Sequence, residues 1–309
     1  MQIFQTTVSK PLKFEGIGLH SGKNTTLKVL PAKADHGIVF KRIDLKQNNL
    51  VEANYKNVTS TKLCTTLENE VGIKVSTVEH LLAAFYFAEI DNALIEINSE
   101  EVPIMDGSAK KFLDILKQKN LKTLSERRNY LKVSKKIELV DGNRKISIEP
   151  FDETLEVEFQ LNYENKVIGN QKNTVNLNRD NIDEISKSRT FCLYEDIENI
   201  KKAGLAKGGS LDNAIVVNDE KILNDEGLRN EKEFVNHKIL DLVGDFMLSG
   251  VRILGKVKCL QGGHGLTNMF LRKLFKNKSF LKVFCPEGII FSNKNDFKTK
   301  DQLKYVVNA

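Results

Sequence analysis

Ser125-Glu126-Arg127-Arg128-Asn129, a run of five polar residues, separates two series of strand-like sequence and decides how the chain divides. Before it, apolar and polar residues alternate over Leu27 to Leu30, Gly37 to Ile43 and Asn92 to Ile97, the period-two pattern of half-buried strands. Two helical patterns share this half. The first spans Ser76 to Ala88, and its start, Ser76-Thr77-Val78-Glu79, reads as a capping box with Ser76 at the N-cap. The second follows Asp106-Gly107-Ser108 and buries Phe112, Leu113, Ile115 and Leu116. After the polar run, alternating strands cover Tyr130 to Leu161, followed by a polar segment from Arg179 to Ser186. A helix near Glu195 to Lys202 stops at Gly204, and the apolar Ala214-Ile215-Val216-Val217 is a strand. A long helix then spans Glu231 to Ser249, with strands at Arg252 to Leu260 and Leu281 to Phe284. Strands grouped with helices on both sides of the polar run predict an α+β chain of two domains, 1–126 and 127–309. Each is a sheet with helices packed on one face.

With 309 residues, 40% hydrophobic and 28% charged, the composition is that of a globular protein and excludes a fibrous or disordered chain. No apolar run reaches the length of a membrane span, and the start lacks the basic and apolar regions of a signal peptide, so a cytoplasmic location is expected. Cys64, Cys192, Cys259 and Cys285 are scattered without C-x-x-C spacing, which fits reduced thiols, and Cys64 and Cys192 read most simply as small core residues. The net charge of +6 is carried mostly by dispersed Lys with no aromatic and Arg cluster, which argues against a nucleic-acid partner.

The histidines are few and unevenly placed. On the long helix His237, Asp241 and Asp245 are spaced i, i+4, i+8 and fall within an arc of about 80°. The rest of that helix is apolar nearly all round, so its carboxylates are predicted to be buried and in need of partners. Helical i,i+4 spacing lets two side chains converge on one ion, although the same spacing also suits a solvated stripe or a structural His–Asp hydrogen bond. His80, directly after Glu79 in the first turn of its helix, is the candidate third ligand; packing for His80 and capping for Glu79 are the alternative. Two His and one carboxylate would leave a fourth position open, as catalytic zinc sites do. His264 sits in Gln261-Gly262-Gly263-His264-Gly265, a loop histidine facing substrate or a glycine turn at the surface. Gly250 to Val257 nearly spells a P-loop but ends in Val257 and follows a helix rather than a strand, and no G-x-S-x-G elbow is present.

Several stretches occur together in one order: Gly16-Ile17-Gly18-Leu19-His20-Ser21-Gly22, Ser76 to Ala84, Val102-Pro103-Ile104-Met105-Asp106-Gly107-Ser108-Ala109, Ser188-Arg189-Thr190-Phe191, Gly208 to Val217, His237 to Asp245, and the glycines around His264. In them the chain resembles the UDP-3-O-acyl-N-acetylglucosamine deacetylase family, zinc amidases that commit precursors to lipid A. The resemblance covers nearly the whole chain and implies two α+β domains with the active site between them. It implies that His80, His237 and Asp241 bind zinc, with iron(II) equally suited by ligand type, and that Glu79 is the general base. It implies further that His264, oriented by Asp245, is the cation near the oxyanion and leaving amine, that Thr190 donates to the oxyanion, and that Lys238 contacts the nucleotide diphosphate. Phe191, Leu193, Ile197, Ala206, Ser210, Ala214 and Val216 would line a passage for the acyl chain. The implied partner is a UDP-linked acylated amino sugar, with a monomeric enzyme and at most peripheral membrane contact. No fused dehydratase domain is expected. Gly262 stands where many relatives have Ser, and Leu193 where Phe is frequent; both bear on acyl-chain length rather than on the chemistry. A non-catalytic zinc or nucleotide-sugar binding protein is the competing reading, and Glu79 beside an open metal position is what separates the two.

Overall fold

The computed structural model describes residues 1–118, 121–178, 180–286 and 289–291. The first half is built on a five-stranded sheet in the order Leu12–Ile17, Asn24–Leu30, Ala93–Ile97, Ile38–Arg42, Leu50–Glu52. Its central strands alternate buried and exposed positions, so that Leu27, Val29, Phe40, Ile95 and Ile97 enter the core from one face. Phe4–Val8 pairs with Leu121–Arg127, and a small three-stranded sheet joins Val58–Ser60, Thr66–Glu68 and Lys74–Val75. The second half is an eight-stranded sheet around Arg252–Leu260. That strand pairs in parallel with Tyr130–Val133 and Leu155–Asn162, and antiparallel with Arg144–Glu149. Asn170–Asn176, which the sequence did not suggest as a strand, closes one edge against Leu155–Asn162 because its alternation is polar and only its end is buried. Among the described residues no sheet pairs a strand from before residue 128 with one from after it.

Among the described residues six α-helices complete the fold: α1 (Glu79–Phe87), α2 (Lys110–Gln118), α3 (Asp183–Ser186), α4 (Ile197–Lys202), α5 (Glu233–Met247) and α6 (His264–Lys276). No helix of the described residues is long and apolar enough to cross a membrane. Helices α5 and α6 lie on the eight-stranded sheet, and α1 packs along α5 in the most extensive helix contact of the molecule. The apolar core is therefore continuous from the first sheet through α1 and α5 to the second.

The structure changes three details of the sequence reading. The capping box does not form: α1 starts at Glu79 rather than Ser76, Val78 occupies the N-cap without a side-chain bond, and the Ser76 hydroxyl donates to the Glu100 carbonyl instead. Thr77, at φ +56°, breaks the helical path at this point. The polar segment contains the one-turn α3, with Arg179 lying outside the described residues. The polar junction run contains a fully buried residue. Arg128 is 2% exposed, its guanidinium bonding Asp91 at 2.8 and 3.0 Å and the Glu89 carbonyl at 2.8 Å. A buried guanidinium is tolerated because these acceptors satisfy it.

The crossing of α1 on α5 has one steric condition. A Cβ at Gly244 would stand 2.0 Å from the carbonyl oxygen of Glu79 and 2.8 Å from its carbonyl carbon. Only a hydrogen side chain admits that approach. Gly244→Ala should therefore lower stability by about 1 to 3 kcal/mol, the usual cost of overpacking, as read from denaturant unfolding at fixed m-value.

Candidate metal centre

The close approach of α1 and α5 brings residues 157 positions apart in sequence to one point, since His80 stands on α1 and His237 and Asp241 stand one turn apart on α5. Their ligand atoms lie within 4.8 Å of one another, and all three side chains are buried. His237 Nε2 is 3.3 Å and His80 Nε2 is 3.5 Å from Asp241 Oδ1. The two imidazoles meet edge to face at 5.1 Å between centroids.

Each ligand is prepared for a cation. His237 Nδ1 lies 3.1 Å from the Ser188 carbonyl, which can only accept, so Nδ1 carries the proton and the Nε2 lone pair faces the cluster. Burial pushes the His237 imidazolium down to about 3, leaving a neutral ligand. Burial works against charge on Asp241 too, but His237 and Lys238 hold its carboxyl well below the usual range, with Lys238 Nζ at 2.6 Å from Oδ2. Asp241 Oδ1, by contrast, is buried and accepts no hydrogen bond, as is true of His80 Nδ1. A desolvated carboxylate oxygen left unpaired between two imidazole nitrogens is costly without a cation, and two nitrogens with one oxygen form a donor set that suits Zn²⁺ or Fe²⁺.

Beside this cluster lie Glu79 and His264. Helix α6 begins at His264, which is 9% exposed, so this residue is neither in a loop nor at the surface. The glycines before it conceal the helix start from a periodicity reading. Burial disfavours the His264 cation, but Asp245, with Oδ2 at 2.9 Å from Nδ1, and Glu79, with Oε1 at 3.6 Å from Nε2, raise its pKa to about 9. Burial raises the Glu79 pKa, while His264 and His80 oppose the shift. The pair is therefore arranged as a carboxyl group beside a cationic imidazole.

The Ser188–Thr190 segment is fixed by a fully buried ion pair, Arg189 with Glu233 in the first turn of α5, at 2.8 Å between Nε and Oε1. Glu233 also accepts the Arg189 amide at 3.0 Å and the Arg229 amide at 2.6 Å. Thr190 donates its amide to the Gly107 carbonyl at 2.8 Å, where Gly107 is required both by φ +83° and by the Asn213 carbonyl that a Cβ would meet at 2.2 Å.

Next to the cluster opens an apolar cavity of about 260 Å³. Thr190, Phe191, Ile197, Ala206, Ser210, Ala214 and Val216 all line it, and the Phe191 ring stands 6.3 Å from that of His237. Leu193 is not among the lining residues; Cys192 is, so this cysteine belongs to a cavity wall rather than to the core. Two residues at the centre had been given no role in the sequence reading. His20 lines the cavity with Nε2 buried and unpaired, and Thr65 bonds both Glu79 and Asp245. His20 sits in the glycine motif, whereas nothing in the sequence around Thr65 points to a site.

A His-His-Asp donor set with a carboxylate and a cationic imidazole beside it, carried by an α+β scaffold, is the arrangement of a hydrolytic metal centre. The chain matches the UDP-3-O-acyl N-acetylglycosamine deacetylase family over residues 5–276. It is similar to proteins named UDP-3-O-acyl-N-acetylglucosamine deacetylase from Geotalea uraniireducens, 43% identical over 289 residues that cover 92% of this chain and 94% of that one. The corresponding protein of Syntrophotalea carbinolica is 41% identical over 276 residues, covering 89% of each chain. That of Pseudoalteromonas translucida is 40% identical over 280 residues, covering 90% and 92%. The chain belongs to this deacetylase family.

A metal held by three protein ligands has no redundancy in its attachment. His80→Ala, His237→Ala and Asp241→Ala are each expected to lose the bound metal, measured as metal per chain after dialysis; full occupancy in any one variant would remove that residue from the site.

Proposed function

We propose that this chain removes the N-acetyl group of a UDP-3-O-acyl-N-acetylglucosamine as a zinc-dependent amidase, releasing acetate in the committed step of lipid A biosynthesis. Family membership supports the reaction, and the unpaired Asp241 Oδ1 between His80 and His237 is the observation that supports the metal. Fe²⁺ would suit the same donors. A metal bound here supplies Lewis acidity, lowering the pKa of a water and polarising the amide carbonyl.

The chain's own residues divide the remaining work. Glu79, in its unprotonated form, takes a proton from the attacking water as the new C–O bond forms. Thr190, at the cavity mouth, donates its hydroxyl to the developing oxyanion, and the His264 imidazolium adds positive charge there. As the C–N bond breaks, His264 gives its proton to the leaving amine. Glu79 and His264 are 3.6 Å apart, so the proton taken from water and the proton given to nitrogen are held on neighbouring atoms. Asp245 keeps the His264 ring oriented and charged. Lys238, tied to Asp241, is positioned to meet the diphosphate, and the cavity takes the acyl chain. In this reading the chain acts as a monomer in the cytoplasm with domains 1–126 and 127–309. The separate sheets of the two halves support that division, and the continuous core argues that the halves do not move as independent bodies.

The decisive experiment measures metal content together with acetate release from the UDP-glycolipid. Glu79→Gln should keep the metal and slow turnover by about 10² to 10⁴, the usual worth of a positioned base; turnover at the parent rate would leave Glu79 without that role.

The pH profile follows from the same pair. The base works when unprotonated, and burial places the Glu79 acid limb above the ordinary carboxylate range. The cation works when protonated, so activity should fall as pH rises through about 9. Asp245→Asn removes the largest contribution that raises the His264 pKa, so the alkaline limb should move to lower pH. An alkaline limb unmoved by Asp245→Asn would count against His264 as the catalytic cation.

A further inference from the structure

Thr65 is 1% exposed and touches two groups of the reaction at once. Its amide donates to Glu79 Oε2 at 3.1 Å, and its hydroxyl donates to Asp245 Oδ1 at 2.7 Å. The opposite oxygens of both carboxylates face the two nitrogens of His264. Thr65, Glu79, His264 and Asp245 thus close a buried ring in which one residue spans base and counter-ion. Among the described residues, the Thr65 amide is the one hydrogen-bond donor to Glu79.

We propose that Thr65 is a positioning residue of the hydrolytic step, fixing the separation of Glu79 and Asp245 around His264. Helices α1 and α5 set where the two backbones lie, and Thr65 is bonded to both side chains at once. The Thr65 backbone is anchored where the strand Thr66–Glu68 begins, and its branched side chain restricts the hydroxyl to few rotamers. By occupying Asp245 Oδ1, the hydroxyl reserves Oδ2 for His264 Nδ1. Without it, the carboxylate is free to rotate and offer either oxygen, and the imidazole shifts relative to Glu79 and the amide. Such a shift acts on the chemical step and leaves substrate contacts and the ligands His80, His237 and Asp241 in place.

This inference rests on the roles assigned above to Glu79 and His264. Acetate release and metal content are compared for the full chain carrying Thr65→Val, Thr65→Ala, Thr65→Ser or Glu79→Gln. Val and Ala are expected to lower kcat by about ten- to hundredfold with KM within about twofold of the parent, and Ser to restore kcat to within about threefold. Metal content should be unchanged in all. Thr65→Ala and Thr65→Ser keep the test decisive if Thr65→Val fails to fold. Parent kcat in Ala or Val, a Ser variant as slow as Ala, or metal lost along with activity would each overturn the proposal. Glu79→Gln turning over at the parent rate would instead strike at the base assignment, independently of Thr65.

Discussion

The contact between the Glu79 carbonyl and the hydrogen side chain of Gly244 sets the geometry of the centre. It lets α1 lie directly on the backbone of α5, and Glu79, His80, His237, Asp241 and Asp245 are placed by that crossing. Glu79 and His80 open α1, while His237, Asp241 and Asp245 occupy successive turns of α5. A helix pair held apart by a methyl group would separate the imidazole of His80 from the other two ligands. The helices themselves are fixed because both are buried nearly all round within one apolar core.

Within that buried space two histidines are driven in opposite directions by their neighbours. His237 has a backbone carbonyl on one nitrogen and a shared carboxylate oxygen on the other, and desolvation wins, leaving it neutral. His264 has a carboxylate to itself at 2.9 Å and a second at 3.6 Å, and charge wins over desolvation. Helix α6 begins at His264, where the macrodipole opposes a cation, so the charge depends on Asp245 and Glu79 rather than on the helix. One residue is thereby suited to hold a metal and the other to hold a proton.

Buried ion pairs do the remaining positioning. Arg189 with Glu233 locks the Ser188 carbonyl on His237 and the Thr190 segment beside the cavity, and Arg128 with Asp91 ties the junction between the halves into the core. Such pairs contribute little net stability when complete, but breaking one leaves an uncompensated charge. Their role here is to specify where two loop segments sit.

Local sequence alone determined the elements whose signal is periodicity: the alternation of Asn92 to Ile97, the strand Arg252–Leu260, and the long helix with His237 and Asp241 one turn apart. It also supplied the i,i+4 half of the metal centre, because helical geometry is fixed by spacing. The start of α1 was misread because Ser76 and Glu79 satisfy a capping pattern that the left-handed Thr77 prevents, and α6 was hidden behind glycines. The pairing of His80 with α5, the Thr65 bridge, the burial of Arg128 and the replacement of Leu193 by Cys192 in the cavity wall were decided only by tertiary structure. Each depends on segments distant in sequence approaching within a few ångströms, and no local pattern encodes that distance.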